Sequence, residues 1–303
     1  MPDGTPVDNI YYGTSSWTDA TLLKSDFYPS DVKKPEARLR FYSERFPLVE
    51  VDATFYALPS ERNSALWVER TPERFIFNVK AFGLMTHHAV AVRSLPEPIR
   101  AMLPAEAAGK ARVYSRDLPE DALNAVWDMF TSALRPLAEA GKLGAILFQF
   151  PHWFAASRQN VAYLRELAER SPARPAVEFR GAGWMKEDKR ERTLDLLREI
   201  GATYVVVDEP QGFTTSVPPV VACTSPDLAM IRFHGHNAKT WEKRGITAAE
   251  RFRYLYSEDE LRKWVAPARE LAGEAKQLHV LMNNCYADYG VRNAAQFADL
   301  LGG

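Results

Sequence analysis

Ala176-Val177-Glu178-Phe179-Arg180 places a glutamate and an arginine two positions apart, around one aromatic residue, at the close of an apolar run. Side chains of an extended chain alternate faces, so Glu178 and Arg180 project to one side and Val177 and Phe179 to the other. The same arrangement closes three further apolar runs, at Glu50-Val51-Asp52, Asn78-Val79-Lys80 and Arg232-Phe233-His234. Burying an ionisable group is costly unless it is paired or used. Four such pairs at strand ends therefore point to a fold that gathers the carboxyl ends of many parallel strands around one point. There, scattered pairs become one site.

Outward from these pairs, strand-like and helix-like segments alternate almost to the end. Strands are expected at Ile10–Thr14, Leu48–Asp52, Phe75–Lys80, Gly144–Phe150, Ala176–Arg180, Tyr204–Asp208, Ala229–His234 and Leu278–Asn283. Runs such as Ala145-Ile146-Leu147-Phe148 are continuously apolar, as in parallel strands covered on both faces. Amphipathic stripes predict helices over Pro35–Phe46, Ser60–Arg70, Pro119–Ala140, Gln159–Glu169, Lys186–Ile200, Glu258–Ala272 and Arg292–Leu300. This pattern predicts a single α/β domain over residues 1–303, a (β/α)8 TIM barrel rather than a doubly wound sheet. Between the sixth and seventh strands, Glu209–Asp227 shows no helical stripe and carries three prolines in Ser216–Pro226, so a helix-poor crossover is expected there. Long connections at Ala81–Leu118 and Gly235–Ser257 follow strands three and seven, where barrel enzymes keep substrate contacts and lids.

The chain has 303 residues, 46% hydrophobic and 25% charged, with a net charge of −1. That balance gives no long-range field for nucleic acid or an anionic membrane. Two cysteines, Cys223 and Cys285, form no disulfide framework and no zinc-type spacing. No basic and apolar leader opens the chain, and no apolar run approaches the roughly 18 residues of a membrane span. A cytoplasmic protein is expected, with its oligomeric state left open.

Several stretches share a second property. They are Gly13-Thr14-Ser15-Ser16-Trp17, Phe27-Tyr28-Pro29, Val49-Glu50-Val51-Asp52-Ala53-Thr54-Phe55-Tyr56, Phe77-Asn78-Val79-Lys80-Ala81 and Thr86-His87. They continue with Phe148-Gln149-Phe150-Pro151, Val177-Glu178-Phe179-Arg180, Ile231-Arg232-Phe233-His234-Gly235, Asn283-Asn284 and Asn293-Ala294. In this order, over residues 10 to 300, the chain resembles the YecE-like family, a domain of unknown function. The resemblance implies a TIM-barrel fold and no settled activity. Asp52 stands where the resemblance leads one to expect a neutral Asn, and Cys285-Tyr286-Ala287-Asp288 is an individual version of the segment after the double Asn.

A parallel barrel would bring Glu50, Asp52, Lys80, Gln149, Glu178, Arg180, Asp208, Arg232, His234 and Asn283 to one mouth. Trp17, Tyr56 and Trp184 are expected as pocket walls, with His87 at the rim. Either Asn283 or Asn284 faces inward. Arg180 and Arg232 offer planar forks for a carboxylate or phosphate, and Lys80 adds a third cation. Glu178 and Asp208 are candidates for general acid and base, and His234 for a proton shuttle. Lys80 fits electrostatic stabilisation better than a Schiff base. The rival structural reading is a satisfied salt-bridge network closing the barrel top. His234-Gly235-His236 is the one short ligand spacing, which Glu178, Asp208 or His87 could complete. Yet Gly235 is expected to end the strand, so the two rings need not share a face, and the mouth already holds three cations. No metal and no other cofactor is therefore expected. Cys285 reads as a passive buried thiol. Lys239, Lys243 and Arg244, with Trp241 and Tyr254, either touch a phosphate-bearing ligand or form a solvated loop. These features predict an enzyme of hydrolase or lyase type acting on a small, polar, anionic molecule. A metal-dependent phosphodiesterase or nuclease-like barrel, and a non-catalytic ligand-binding or regulatory protein, are the rivals.

Overall fold

The structure is a computed structural model and describes residues 2–303. Eight parallel strands close a barrel: β1 (Ile10–Thr14), β2 (Leu48–Val51), β3 (Ile76–Lys80), β4 (Leu143–Gln149), β5 (Arg174–Glu178), β6 (Thr203–Asp208), β7 (Ala229–Phe233) and β8 (Leu278–Met282). Each strand pairs with its neighbour in sequence, and β1 pairs with β8 to complete the ring. This is the (β/α)8 arrangement. Around it run α1 (Pro35–Ser43), α2 (Glu61–Glu69), α3 (Glu120–Glu139), α4 (Arg158–Arg170), α5 (Arg190–Glu199), α6 (Val265–Glu274) and α7 (Tyr289–Gly302). The stripe of α3 buries Val126, Trp127, Phe130 and Leu134.

Between β3 and β4 the register slips, so that Phe77 pairs with Leu143 but Val79 with Ile146. One extra residue on β4 shifts its in–out parity, and Leu147 and Gln149 then share the inner face with Lys80 and Glu178. Gly144 lies at this slip. A Cβ there would stand 2.6 Å from both Asn78 Oδ1 and Ile76 Cγ2.

Three elements depart from the sequence-based expectation. The helix expected over Glu258–Ala272 is two, Glu258–Arg262 and α6. Pro267 sits in the first turn of α6, where its missing N–H is tolerated; a continuous helix would put it in the interior. The helix expected from Lys186 begins at Arg190. The connection Ala81–Leu118 carries its own two-stranded ribbon, Val90–Ala91 with Arg112–Val113, and short helices at Glu97–Ala101 and Ala105–Ala108. Between β6 and β7 the crossover is helix-free, as expected. Thr224 ties it to the barrel by accepting from Tyr204 N at 2.7 Å and donating to Ala202 O at 2.7 Å. Among the described residues, no helix is long and apolar enough to cross a membrane.

Candidate active site at the barrel mouth

The floor of the mouth is built on Arg232, from β7. Its Nη2 donates across the barrel to Glu50 Oε1 on β2 at 2.6 Å, and its Nη1 donates to Glu178 Oε2 on β5. All three side chains are buried, and one planar fork hydrogen-bonds a carboxylate on each side of the barrel. The other Glu178 oxygen accepts from Gln149 Nε2 at 2.6 Å, His234 Nε2 at 3.0 Å and Arg180 Nη1 at 3.3 Å. Burial alone would push the Glu178 carboxyl up, but Arg232, His234 and Arg180 outweigh it and hold it well below the usual range. Glu178 is thus a fixed anion. His234 accepts at Nδ1 from Asn283 Nδ2 at 2.8 Å, which leaves Nε2–H pointing at Glu178. Burial, aided by the nearby arginines, pushes this imidazole down to about 4 despite the attraction of Glu178, so it is neutral at pH 7. Glu50 Oε2 and Arg232 Nε are buried with no hydrogen-bond partner in the protein.

The rim is different. Lys80, at the end of β3, donates to Gln149 Oε1 at 2.9 Å and lies 4.7 Å from the centre of the Phe55 ring. Burial, with Arg232 nearby, lowers its pKa. Beside it, burial pushes the Asp52 carboxyl up to about 6, against the pull of Lys80 and with the help of Glu50. Arg180 bridges Glu178 and Glu209, the latter at 3.2 Å, and its guanidinium stacks 4.7 Å from the Trp241 ring. Burial raises Glu209 to about 7 even with Arg180 beside it.

Glu209 belongs to this network and Asp208 does not. Val207 pairs in register with inward-facing Arg232, so parity sends Glu209 inward and Asp208 to the outer face. There Asp208 Oδ2 accepts from Tyr256 OH at 2.6 Å and pairs with His236 Nε2 at 2.9 Å. Other expected positions are also redistributed. Trp17 packs edge-on against Trp67, and Trp184 lies between Phe154 and Phe179, so both are packing residues of the shell. His87, in a left-handed conformation, turns into a cluster with Phe154 and Tyr163; it is His88 that meets Phe55. Tyr56 stands exposed at the rim. Asn283 faces the barrel, whereas Asn284 binds Tyr254 O and Asn293 on the outside. Burial drives the Cys285 thiol well above its usual range, which disfavours the thiolate.

Two connections meet over Arg180. Glu242, in the loop after β7, accepts from Thr214 Oγ1 at 2.8 Å and from Thr215 N at 3.2 Å in the β6–β7 crossover. Glu209 Oε1 accepts from Val217 N at 2.7 Å in the same crossover. Trp241 is 3% exposed beneath this roof.

A family described as "Protein of unknown function DUF72" matches residues 11–303. The chain belongs to the DUF72 family. It is 34% identical over 296 residues to the UPF0759 protein YunF of Bacillus subtilis, covering 96% of this chain and 94% of that protein. It is also similar to the crystal structure of a DUF72 protein from Thermotoga maritima (TM-score 0.74, 34% identity, 97% of this chain and 99% of that one). A second DUF72 structure, from Enterococcus faecalis, gives a TM-score of 0.77 at 27% identity, with 97% and 96% covered. The barrel implied by the YecE-like resemblance is therefore the DUF72 barrel.

In this DUF72 protein the sequence reading missed Glu209 and His88, and it named Trp241 only as a loop contact beside Lys239, Lys243 and Arg244, not as the stacking partner of Arg180. Glu209 was open to it, because Val205, Val207 and Glu209 continue one face. Trp241 and His88 sit on loops, where no periodicity says which way a side chain turns. His234 and His236 take separate partners, and among the described residues no group of three or more His, Cys, Asp or Glu side chains is placed to hold a metal ion.

Proposed function

We propose that the barrel mouth is the active site of an enzyme of hydrolase or lyase type, acting on a small, polar, anionic molecule. One observation carries this reading. Solvent reaches Asp52 and Lys80, which feel each other's charge and whose proton affinities are moved toward neutrality. They lie above a buried floor of paired charges that leaves Glu50 Oε2 and Arg232 Nε without a partner. A carboxyl titrating near 6 is suited to giving and taking protons at neutral pH. Lys80 beside it stabilises developing negative charge, and Arg180, partly exposed, anchors the anionic group. Glu178 and His234 position this set: the carboxylate orients Gln149, Arg180 and Arg232, and the imidazole is held by Asn283. Asp208 is left out of this set, since it lies on the outer face with Tyr256 and His236. The floor alone would be a structural ion network; the rim goes beyond one, since closing a barrel top does not require groups moved toward neutrality at the solvent boundary.

The test is a turnover screen of phosphorylated and carboxylated metabolites, read by mass spectrometry, on the wild type, Lys80→Met and Asp52→Asn. Each substitution is expected to cost about 10²–10⁴-fold in rate while the protein remains folded. Turnover undiminished in both variants would end this assignment.

A further inference from the structure

The two most exposed large hydrophobic side chains among the described residues are Tyr56, 63% exposed, and Trp153, 54% exposed. They stand on different loops, after β2 and β4, on either side of Lys80 at the end of β3. Between them the contacts are continuous: Tyr56 to Phe55 at 5.1 Å, Phe55 to His88 at 4.9 Å and His88 to Trp153 at 6.0 Å between ring centres. Lys80 Nζ touches the same shelf through Phe55. Aromatic surface left open beside a polar mouth is characteristic of a ligand platform. Burial and Lys80 push His88 down to about 3, so the shelf bears no charge of its own and offers only π faces.

Behind Trp153 lies a cavity of about 330 Å³, near the lower end of the small-molecule range. Tyr114 lines it, with Arg116 over its ring at 4.7 Å, together with Ser115, Asn160 and His87. His87 Nε2 is buried and has no hydrogen-bond partner in the protein. Flat faces beside polar edge groups match a ring that stacks through its face and hydrogen-bonds through its edge.

We infer that the substrate is an anion carrying a planar heteroaromatic ring, of the mononucleotide type, with the ring on the Trp153–Tyr56 shelf. This rests on the proposed anion site at Lys80 and Arg180 and adds the part of the molecule that site does not touch. A sugar ring is disfavoured because the shelf supplies π surface over its length and keeps its polar groups at one end.

The experiment measures dissociation constants by calorimetry for adenosine 5′-monophosphate, ribose 5-phosphate, inorganic phosphate and adenosine. It uses the wild type, Trp153→Leu, Tyr56→Leu, Lys80→Met and His87→Asn; asparagine accepts the left-handed backbone at that position. The mononucleotide is expected to bind about 5- to 150-fold more tightly than ribose 5-phosphate, the margin one base–aromatic stack provides. Trp153→Leu should erase that margin and leave phosphate binding and melting temperature unchanged. Equal affinity for the three phosphates, or a margin that survives both leucine variants, overturns the inference, as does a Trp153-dependent preference for ribose 5-phosphate. Adenosine binding that needs Trp153, with no phosphate binding, would keep the shelf and remove the anion site. Phosphate binding lost in Lys80→Met, with no gain from the ring, would do the reverse.

Discussion

Asp52 and Glu178 are carboxylates of one mouth with opposite behaviour, and their partners explain it. Glu178 accepts from two arginines, an amide and an imidazole, so its burial is overcompensated. Asp52 is desolvated with only Lys80 as the nearer cation and with Glu50 and Asp19 opposing its charge. Its folded pKa, about 6, lies above the unfolded value of about 3.9. The protonated group therefore contributes stability that is present below about pH 4 and lost as pH rises through 6. Asp52→Asn should melt above the wild type at pH 8 and level with it at pH 4. A wild type equal or superior at pH 8 would contradict the raised carboxyl. Much of this scale was legible in the sequence, since a period of two puts Glu50, Glu178, Arg180, Arg232 and His234 on inner faces. The error at Asp208 came from taking the last strand residue in place of the one after it, a parity question that the in-register partner Arg232 decides.

Elements were legible where apolar periodicity was strong and blurred where a single residue overrides it. Each of the eight strands lies within two residues of its expected ends, because a strand buried on both faces needs an unbroken apolar run. The division ahead of α6 follows from Pro267, which a stripe reading passes over. The β4 slip was not legible, because an extra residue in a continuously apolar strand changes no pattern. Its energetic consequence is measurable at Gly144. A methyl group there would meet Asn78 Oδ1 and Ile76 Cγ2 at 2.6 Å and His279 Cε1 at 2.9 Å, inside a packed barrel. Gly144→Ala should cost about 1–3 kcal/mol by overpacking, read from the denaturant midpoint with an unchanged slope. A variant as stable as the wild type would mean that the slip can relax and does not fix the inner face of β4.

Across the whole molecule the mouth is lopsided. A roof made from the β6–β7 crossover and the loop after β7 covers Arg180 through Trp241, while the β2–β4 side presents an open shelf beside Lys80. The sequence marked the connection after β7 for substrate contacts or a lid and Tyr56 as a pocket wall, but not how the roof closes, since it is held by contacts between distant loops, such as Glu242 with Thr214. The charges beneath are nearly balanced, and the balance depends on pH. Lys80, Arg180 and Arg232 face Glu50, Asp52, Glu178 and Glu209, three cations against four carboxylates. Two of those carboxyls are raised, Asp52 to about 6 and Glu209 to about 7. His234, pushed down to about 4, adds no charge above that pH. As pH rises through 7 both raised carboxyls ionise, which makes the mouth more negative and disfavours an anion. Near pH 5 both are largely protonated, and the mouth has lost up to two negative charges relative to pH 8. An anion entering the mouth should therefore take up protons, and reciprocally its affinity should rise as pH falls from 8 to 5. Sulfate isolates the effect, because it keeps its charge over this range. Its dissociation constant should tighten about tenfold or more over this interval, as the two carboxyls approach full protonation. Calorimetry in buffers of different ionisation enthalpy should register the proton uptake directly. Glu209→Gln and Asp52→Asn should each flatten the dependence. Sulfate affinity independent of pH in the wild type would show that the raised carboxyls and the anion site do not share one field, and the mouth would then be no more than a paired ion network.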